Sequence, residues 1–512
     1  MASIHFYTHM ILKFLRYNIS TYPKISLCVA GILCAIAHAP IFFAPGLIGF
    51  SVLLYLVYTA NSYRQAITRN IVFGYGYFGY GLYWISIGIS VYIDDFWWMI
   101  PICLLGMPLI FCIFTSFAAA FAWKYRENTH YVLIYSIAWI FIEWLTTWVF
   151  TGFPWMLIGY SAGFSNIISQ MASLCGVIGI SFILFNIAGT FYYIWNHDGI
   201  LKKHDIYYAM SMLGLVLLFG IVRLETHPTK FLDIQVRIIQ PSIAQSDKWD
   251  RDIFWKNLGS HKQASLVKTG MKPDIILWSE AAVTAPIQLP IIRKYLNDVA
   301  KISNAILITG GVSEIDSKNY TSANAIDPSG KMMFEYHKEH LVPFGEYVPW
   351  KDFLPIKKLT AGFEDYTPGR GVKTFVLELK KHRLKVRPLI CYESVFASEV
   401  QAEDVDLLLN LTNNAWYGDS AGPYQHFYIG KFRAIENGIP MITAANNGIS
   451  GVIDPIGRII SATKINDIVA LDGLMPQKLS SGKTFYTTIG HLVLIVIILG
   501  VIVLRSFCIR FL

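Results

Sequence analysis

Charge is scarce in this sequence. Only 15% of its 512 residues are Asp, Glu, Lys or Arg, against about 25% in an ordinary soluble domain. The distribution is also uneven: residues 1–222 hold 15 of the charged side chains, and the remaining 290 positions hold 61. A uniformly solvated chain is excluded, and a lipid-preferring part is joined to a water-preferring one. No run of five or six like charges occurs, so the formal net charge of +8 does not read as a nucleic-acid-binding tail. Cysteine is sparse as well. Six of the seven, at positions 28, 34, 103, 112, 175 and 508, lie in or beside apolar tracts, where a thiol behaves as a small hydrophobe. Only Cys391 falls in the polar part, which excludes an internal disulfide there.

Metal and nucleotide signatures are missing too. Gly482, Lys483 and Thr484 suggest a phosphate loop, but the glycine required five positions earlier is Gln477. His337 and His340 flank Lys338 and Glu339 with a spacing that does not match the zinc pattern of two histidines on one helix face. No metal and no cofactor is expected. Neither a repeat of 20 to 50 residues nor a low-complexity segment is visible.

What the sequence has instead is long charge-free tracts, at 25–63, 70–93, 96–123, 144–197, 206–222 and 485–504. A membrane-spanning helix needs about 20 apolar residues. The first tract is long enough for two spans divided at Pro40, Pro45 and Gly46, and the fourth for two divided at Gly152, Phe153, Pro154 and Trp155. The count is eight spans, seven of them within residues 1–222. Lys and Arg collect on the cytoplasmic side. With the N-terminus inside, that side holds Lys13, Arg16, Lys24, Arg64, Arg69, Lys124, Arg126, Lys202, Lys203, Arg505 and Arg510, while Asp94 and Asp95 lie outside. Both termini are then cytoplasmic. Residues 223–480 form an outer domain, and 481–512 carry the eighth span and a short tail.

The outer domain alternates strand and helix signals. "LDIQVRIIQPSI" from Leu232, "PDIILWSE" from Pro273, "AILITGGVSE" from Ala305 and "KVRPLICYES" from Lys385 read as strands. Apolar residues at helical spacing follow Trp249, Pro290 and Gln425. Asp-Pro-x-Gly turns at 327–330 and 454–457 join strands into hairpins. An α/β domain of layered sheets and helices results.

Three of the apolar strands close on a reactive residue: Glu280 after "ILW", Lys338 after "MMFEYH" and Cys391 after "RPLI". Singly, Glu280 reads as the cap of a helix starting at Ala281, Lys338 as a solvated strand end and Cys391 as a core thiol. Together they are a base, a cation and a nucleophile, the set needed to attack an acyl carbon.

The Glu of "LWSE", the Lys of "YHKEHLVPFGEYVP" and the Cys of "LICYES" resemble the Glu-Lys-Cys triad of the nitrilase superfamily. "HLVPFGEYVP", "NNAWYGDSAGPYQHF" and "ANNGISGVID", with "TGFPWMLIGYS" upstream, resemble its membrane-embedded branch, the bacterial apolipoprotein N-acyltransferases, from about residue 25 to 505. The resemblance implies a polytopic α-helical membrane domain of eight spans plus an α/β nitrilase-like αββα sandwich, in the inner membrane with the catalytic domain in the periplasm. It implies an acyl chain passed from a phospholipid, phosphatidylethanolamine in such enzymes, through a thioester on Cys391 to the α-amine of a diacylglyceryl-cysteine apolipoprotein. Glu280 would be the base and Lys338 the oxyanion partner. Glu346, Tyr392, Glu393, Trp249 and Trp416 would position residues or line the substrate wall. Ser279, where the family often has Pro, and Thr146 and Thr147, where an Arg is frequent, depart from the pattern.

Glu143, a carboxylate within a span, is either functional or a structural hydrogen-bonding group. The loop 350–373 reads as a membrane-facing lid, with Phe353, Leu354, Ile356 and Phe363 among Lys351, Lys357 and Lys358. Two other classes share these features. A membrane-tethered amidohydrolase would use the same triad with water as second nucleophile. A transporter with an appended domain would need intramembrane charges or paired broken helices, of which only Glu143 qualifies.

Overall fold

The computed structural model describes residues 13–91, 93–196, 203–353, 358–359, 365–401, 404–492, 495–496 and 499. These form two compact units. One is built from the described residues up to Ser86, Trp98–Thr226 and those from Ile489 onward; the other comprises Ile87–Trp97 and His227–Thr488.

The first unit is helical. Among the described residues, three helices are long and apolar enough to cross a membrane: Met99–Lys124, Ala172–Thr190 and Tyr207–Thr226. Three shorter apolar helices accompany them, Pro23–Ala35, Ala44–Tyr58 and Tyr131–Leu145. The sequence tracts are longer than the helices for local reasons. The first tract turns at residues 36–43 around Pro40, and Pro45 opens the next helical segment. The tract from residue 70 passes through a wide turn at Tyr75–Gly79 before Tyr80–Leu82 and Ile85–Ser90. Most of the tract at 485–504 lies outside the described residues, which include a short helix at Phe485–Ile489. Glycine sets one close crossing in this unit: a Cβ on Gly31 would fall 2.1 Å from the carbonyl oxygen of Phe73, and one on Gly76 would fall 2.3 Å from that of Cys28. Small residues allow helix backbones to approach this closely.

Glu143 is buried in this unit. Its carboxylate accepts the Ile158 N–H at 2.8 Å and the Trp139 indole N–H at 3.3 Å. The first of these bonds ties the helix Tyr131–Leu145 to the tight segment Ile158–Phe164, and the second lies within the helix.

The second unit is layered. One sheet contains β1 (Phe231–Gln240), β2 (Ile275–Leu277), β3 (Val283–Pro286), β4 (Ile306–Ile315), β5 (Lys318–Ile326) and β6 (Met332–His337). A second contains β7 (Phe375–Glu378), β8 (Arg383–Ile390), β9 (Leu407–Thr412), β10 (Met441–Ala445), β11 (Gly451–Ile453) and β12 (Ile459–Ala462). The last strand, β13 (Val469–Pro476), returns to the first sheet beside β1, giving the order β13-β1-β2-β4-β5-β6 with β3 also on β4; the second sheet runs β12-β11-β10-β9-β8-β7.

The centre of each sheet is parallel, β1-β2-β4 in one and β8-β9-β10 in the other. The two hairpin turns lie where the sequence puts them, between β5 and β6 and between β11 and β12. Ile234, Val236, Ile238 and Leu277 of the first sheet share one core with Leu384, Val386, Leu407 and Leu409 of the second. Helices Phe254–Ser265 and Pro290–Ser303 cover the outer face of the first sheet through Leu258, Leu296 and Val299. Helix Ala421–Asn437 covers the second through Phe427 and Ala434. The result is a four-layer αββα sandwich. Buried parallel strands of this kind carry sites at their C-terminal ends.

Candidate active site

The C-terminal end of β2 delivers Glu280. The strand is only three residues long, and the chain turns at once, with Ala281 at φ +45°. No helix starts at Ala281; β3 follows instead, so the cap reading of Glu280 gives way to a turn that projects its carboxylate inward. Gly310 on β4 permits the turn, because a Cβ there would fall 2.5 Å from the Ser279 oxygen and 2.7 Å from the Glu280 Cα.

Lys338 follows β6, anchored by its own N–H to the Thr321 carbonyl at 2.8 Å. It is not a solvated strand end but 1% exposed. Its ammonium lies 2.9 Å from Glu346 Oε2 and 3.3 Å from Glu280 Oε1. Burial alone would lower the Lys338 pKa, but Glu346 and Glu280 outweigh it and raise it above the ordinary lysine value, so the residue is a cation. An ammonium has three donors, and two of them serve these carboxylates. Glu346 is held in turn by Val342 N–H at 2.8 Å and Thr321 Oγ1 at 3.1 Å.

Cys391 directly follows β8 at φ +52°, a left-handed conformation unusual for a side chain with a Cβ, and opens the tight turn Cys391–Val395. Its thiol is pushed up to about 12, first by burial and then by the Glu280 carboxylate, while Lys338, Thr412 and the Asn413 N–H act in the opposite direction. At rest the sulfur therefore keeps its proton. A nucleophile in that state needs a base in place.

Asn413, directly after β9, bridges the two partners. Its backbone N–H donates to Glu280 Oε2 at 2.9 Å and also reaches the Cys391 sulfur. Its side chain is fixed at both ends: Nδ2 donates to Gln245 Oε1 at 2.8 Å, and Oδ1 accepts from Asn446 at 3.0 Å. The Tyr417 hydroxyl lies against the same sulfur. His426 lies 3.1 Å from the Cys391 carbonyl and 2.8 Å from Ser394 Oγ; burial lowers it to about 4, so it braces the turn as a neutral imidazole.

Of the residues singled out by sequence, Glu280, Lys338, Cys391 and Glu346 meet in this cluster. Glu393 does not meet it through its carboxylate, which accepts from Tyr336 OH at 2.6 Å and from the N–H groups of Ile390 at 2.6 Å and Glu339 at 2.7 Å. Tyr392 is buried and packs edge-on to Phe396 with centroids 4.9 Å apart. Trp249 follows the short helix Gln245–Lys248, and Trp416 lies in the turn Asn414–Tyr417; both are half-buried. Asn413, Tyr417, Gln245 and His426 were not singled out by the sequence. For Asn413, Tyr417 and His426 the signal was "NNAWYGDSAGPYQHF" itself, a polar cluster directly after a fully apolar strand; Gln245 carried no such signal.

In the lid segment, Leu354, Ile356, Lys357 and Phe363 lie outside the described residues. Trp350 and Phe353 are exposed, Lys351 pairs with Asp365 at 3.0 Å, and the Lys358 ammonium sits 4.6 Å from the centre of the Tyr366 ring.

A layered α/β domain with a buried Glu-Lys-Cys cluster at its strand ends defines a carbon–nitrogen hydrolase class of protein, and the family model described as carbon-nitrogen hydrolase matches residues 235–467. The model described as the apolipoprotein N-acyltransferase N-terminal domain matches residues 30–190. The apolipoprotein N-acyltransferase of Rickettsia prowazekii is 44% identical over 490 residues, covering 94% of this chain and 97% of that protein. The one from Brucella melitensis is 33% identical over 471 residues, covering 85% and 86%. The chain belongs to the apolipoprotein N-acyltransferase family. A CN-hydrolase superfamily structure from Xanthomonas campestris aligns with 51% of this chain and 97% of its own at 16% identity, with a TM-score of 0.38.

Proposed function

We propose that this protein transfers an acyl chain from a phospholipid, phosphatidylethanolamine, to the N-terminal α-amine of a diacylglyceryl-cysteine apolipoprotein by way of a Cys391 thioester. The carrying observation is that one backbone N–H, that of Asn413, touches both Glu280 and Cys391 while Lys338 stands 3.3 Å from Glu280. Glu280 takes the thiol proton as the sulfur attacks the ester carbonyl. The third donor of Lys338 faces the oxygen on which negative charge develops. The tetrahedral adduct collapses, the ester C–O bond breaks, and Glu280 returns the proton to the departing lysophospholipid oxygen. The apolipoprotein amine then attacks the thioester, Glu280 accepts the amine's proton, and the thiol is regenerated. Amines attack thioesters far more readily than oxygen esters, which is the use of the covalent intermediate.

The same reading places residues 1–222 and 481–512 in the inner membrane as eight spans, with both termini cytoplasmic and residues 223–480 periplasmic. Its support is the one-sided distribution of Lys and Arg and the membership of Ile87–Trp97, which holds Asp94 and Asp95, in the same compact unit as the triad. Mass spectrometry of a lipoprotein N-terminus, made in cells with and without this protein, tests the function. An added acyl mass on the terminal cysteine only when the protein is present is the expected result. Release of free fatty acid without acylated lipoprotein would favour a hydrolase.

A further inference from the structure

Asn446, directly after β10, is buried together with Asn413 and Gln245. It holds several segments at once. Its N–H donates to the Thr412 carbonyl at 3.0 Å, and its carbonyl accepts from the Ser242 N–H at 2.9 Å. Its side-chain oxygen accepts from the Ile243 N–H at 3.3 Å, while Nδ2 donates to the Ile243 carbonyl at 2.8 Å and to Asn413 Oδ1 at 3.0 Å. Ser242 reaches it by a left-handed turn, φ +52°, soon after β1. At the other end of the Asn413 side chain, Nδ2 donates to Gln245 Oε1 at 2.8 Å. Residues that follow β1 in the first sheet are thereby bonded to residues that follow β9 and β10 in the second.

What this polar web orients is one peptide. The Asn413 N–H donates to Glu280 Oε2 at 2.9 Å and reaches the Cys391 sulfur. Glu280 follows a strand of the first sheet and Cys391 a strand of the second, so the donor stands between groups delivered by different layers. A side chain bonded at both ends cannot swing, and the peptide that carries it cannot turn its N–H away from the pair.

We infer that the Asn413 backbone N–H is a further catalytic donor of the acyl transfer, serving the negative charge before and after the first proton transfer, and that Gln245 and Asn446 are positioning residues acting through the Asn413 side chain. The inference rests on the acyl-enzyme reading above. Before the transfer the Glu280 carboxylate is the acceptor. When the S–H bond breaks, the proton goes to Glu280 and the electron pair stays on sulfur, which the same N–H faces. As the S–C bond forms, the charge passes to the carbonyl oxygen, where Lys338 meets it. A fixed donor within reach of both atoms needs no reorganisation during the transfer, whereas a loose one would follow one partner and abandon the other.

The test measures acyl-Cys391 formation by the full chain in detergent over a series of phosphatidylethanolamine concentrations, without acceptor and well below each variant's unfolding midpoint. Gln245→Met keeps the length and removes the acceptor. Gln245→Glu keeps an oxygen for Asn413 Nδ2, and Asn413→Ala keeps the backbone N–H but loses both bonds of its side chain. Gln245→Met should lower the rate at saturating phospholipid about tenfold, as expected for a slightly misplaced group, and leave the half-saturating concentration unchanged. Gln245→Glu should restore most of that rate. Asn413→Ala should be at least as slow as Gln245→Met, and the double variant should be no slower than Asn413→Ala alone, because Gln245 acts only through that side chain. Full rate in Gln245→Met or Asn413→Ala, a change confined to the half-saturating concentration, no rescue by Gln245→Glu, or losses that multiply in the double variant would each overturn the inference. No acyl-Cys391 in the native protein would instead overturn the acyl-enzyme reading.

Discussion

Glu393 accepts a hydrogen bond from the backbone N–H of Glu339 at 2.7 Å, so the residue two places after Cys391 grips the residue next to Lys338. The same carboxylate accepts the Ile390 N–H at 2.6 Å. The turns carrying Cys391 and Lys338 come from different sheets, and this side chain fixes their spacing. A displacement of about 1 Å in such a constellation can cost on the order of a hundredfold in rate.

Glu393→Gln replaces one accepting oxygen by an NH2 group that faces a backbone donor. It should cost about 1–3 kcal/mol of stability, the ordinary penalty for a buried polar group left unsatisfied. Thermal unfolding in detergent should show a lowered midpoint. Acyl transfer measured well below that midpoint should still be depressed, because the two turns lose their common anchor. An unchanged midpoint with full activity would remove Glu393 from this role.

The Cys391 thiol, raised to about 12 by burial and Glu280, should resist alkylation at neutral pH. Its thiolate fraction grows about tenfold per pH unit until the pKa is reached, whereas an ordinary thiol levels off above about 8.5. The rate of carbamidomethylation of Cys391, followed by peptide mass spectrometry, should climb from pH 7 to 10 without a plateau. A plateau near neutrality would mean that a thiolate stands ready and that no base is needed.

Glu280 and Lys338 should fail differently when replaced. Glu280→Gln keeps the shape and removes the base, so thioester formation from phospholipid should slow severely. Lys338→Met removes a donor to the oxyanion, a loss of about 2.7–4 kcal/mol in comparable sites, and should cripple both half-reactions. Each variant is incubated with phospholipid alone, and pre-acylated enzyme is then mixed with acceptor peptide. Fast acylation by Glu280→Gln, or normal deacylation by Lys338→Met, would show that the roles are exchanged or absent.

Orientation is checked by labelling. A membrane-impermeant thiol reagent should reach engineered cysteines at Asp94 and Ser246 from outside and should not reach one at Asn128. The opposite pattern would invert the topology.

The grouping of Glu280, Lys338 and Cys391 was legible because each follows an apolar strand, directly for Lys338 and Cys391 and three residues on for Glu280, a pattern that survives in one dimension. Glu280 shows the limit: "IILW" reads as a strand, but whether a cap or a turn follows depends on Gly310, thirty residues later, giving the turn room against β4. Gln245 was illegible for the same reason, since its role arises from a hydrogen bond with Asn413, 168 positions away. In the helical unit the break at Pro40 was legible from the proline itself, whereas the wide turn at Tyr75–Gly79 interrupts a tract whose composition is apolar throughout.

The central claim is that a phospholipid acyl chain rests on Cys391 before it reaches the apolipoprotein. The most direct test is to incubate the native protein with phosphatidylethanolamine alone and read the mass of the peptide containing Cys391, then add an acceptor peptide bearing a free α-amine. An acyl mass on that peptide, absent in Cys391→Ala and discharged when the acceptor is added, is the predicted result. Acceptor acylation by Cys391→Ala, or an acyl mass that the acceptor does not discharge, would contradict it.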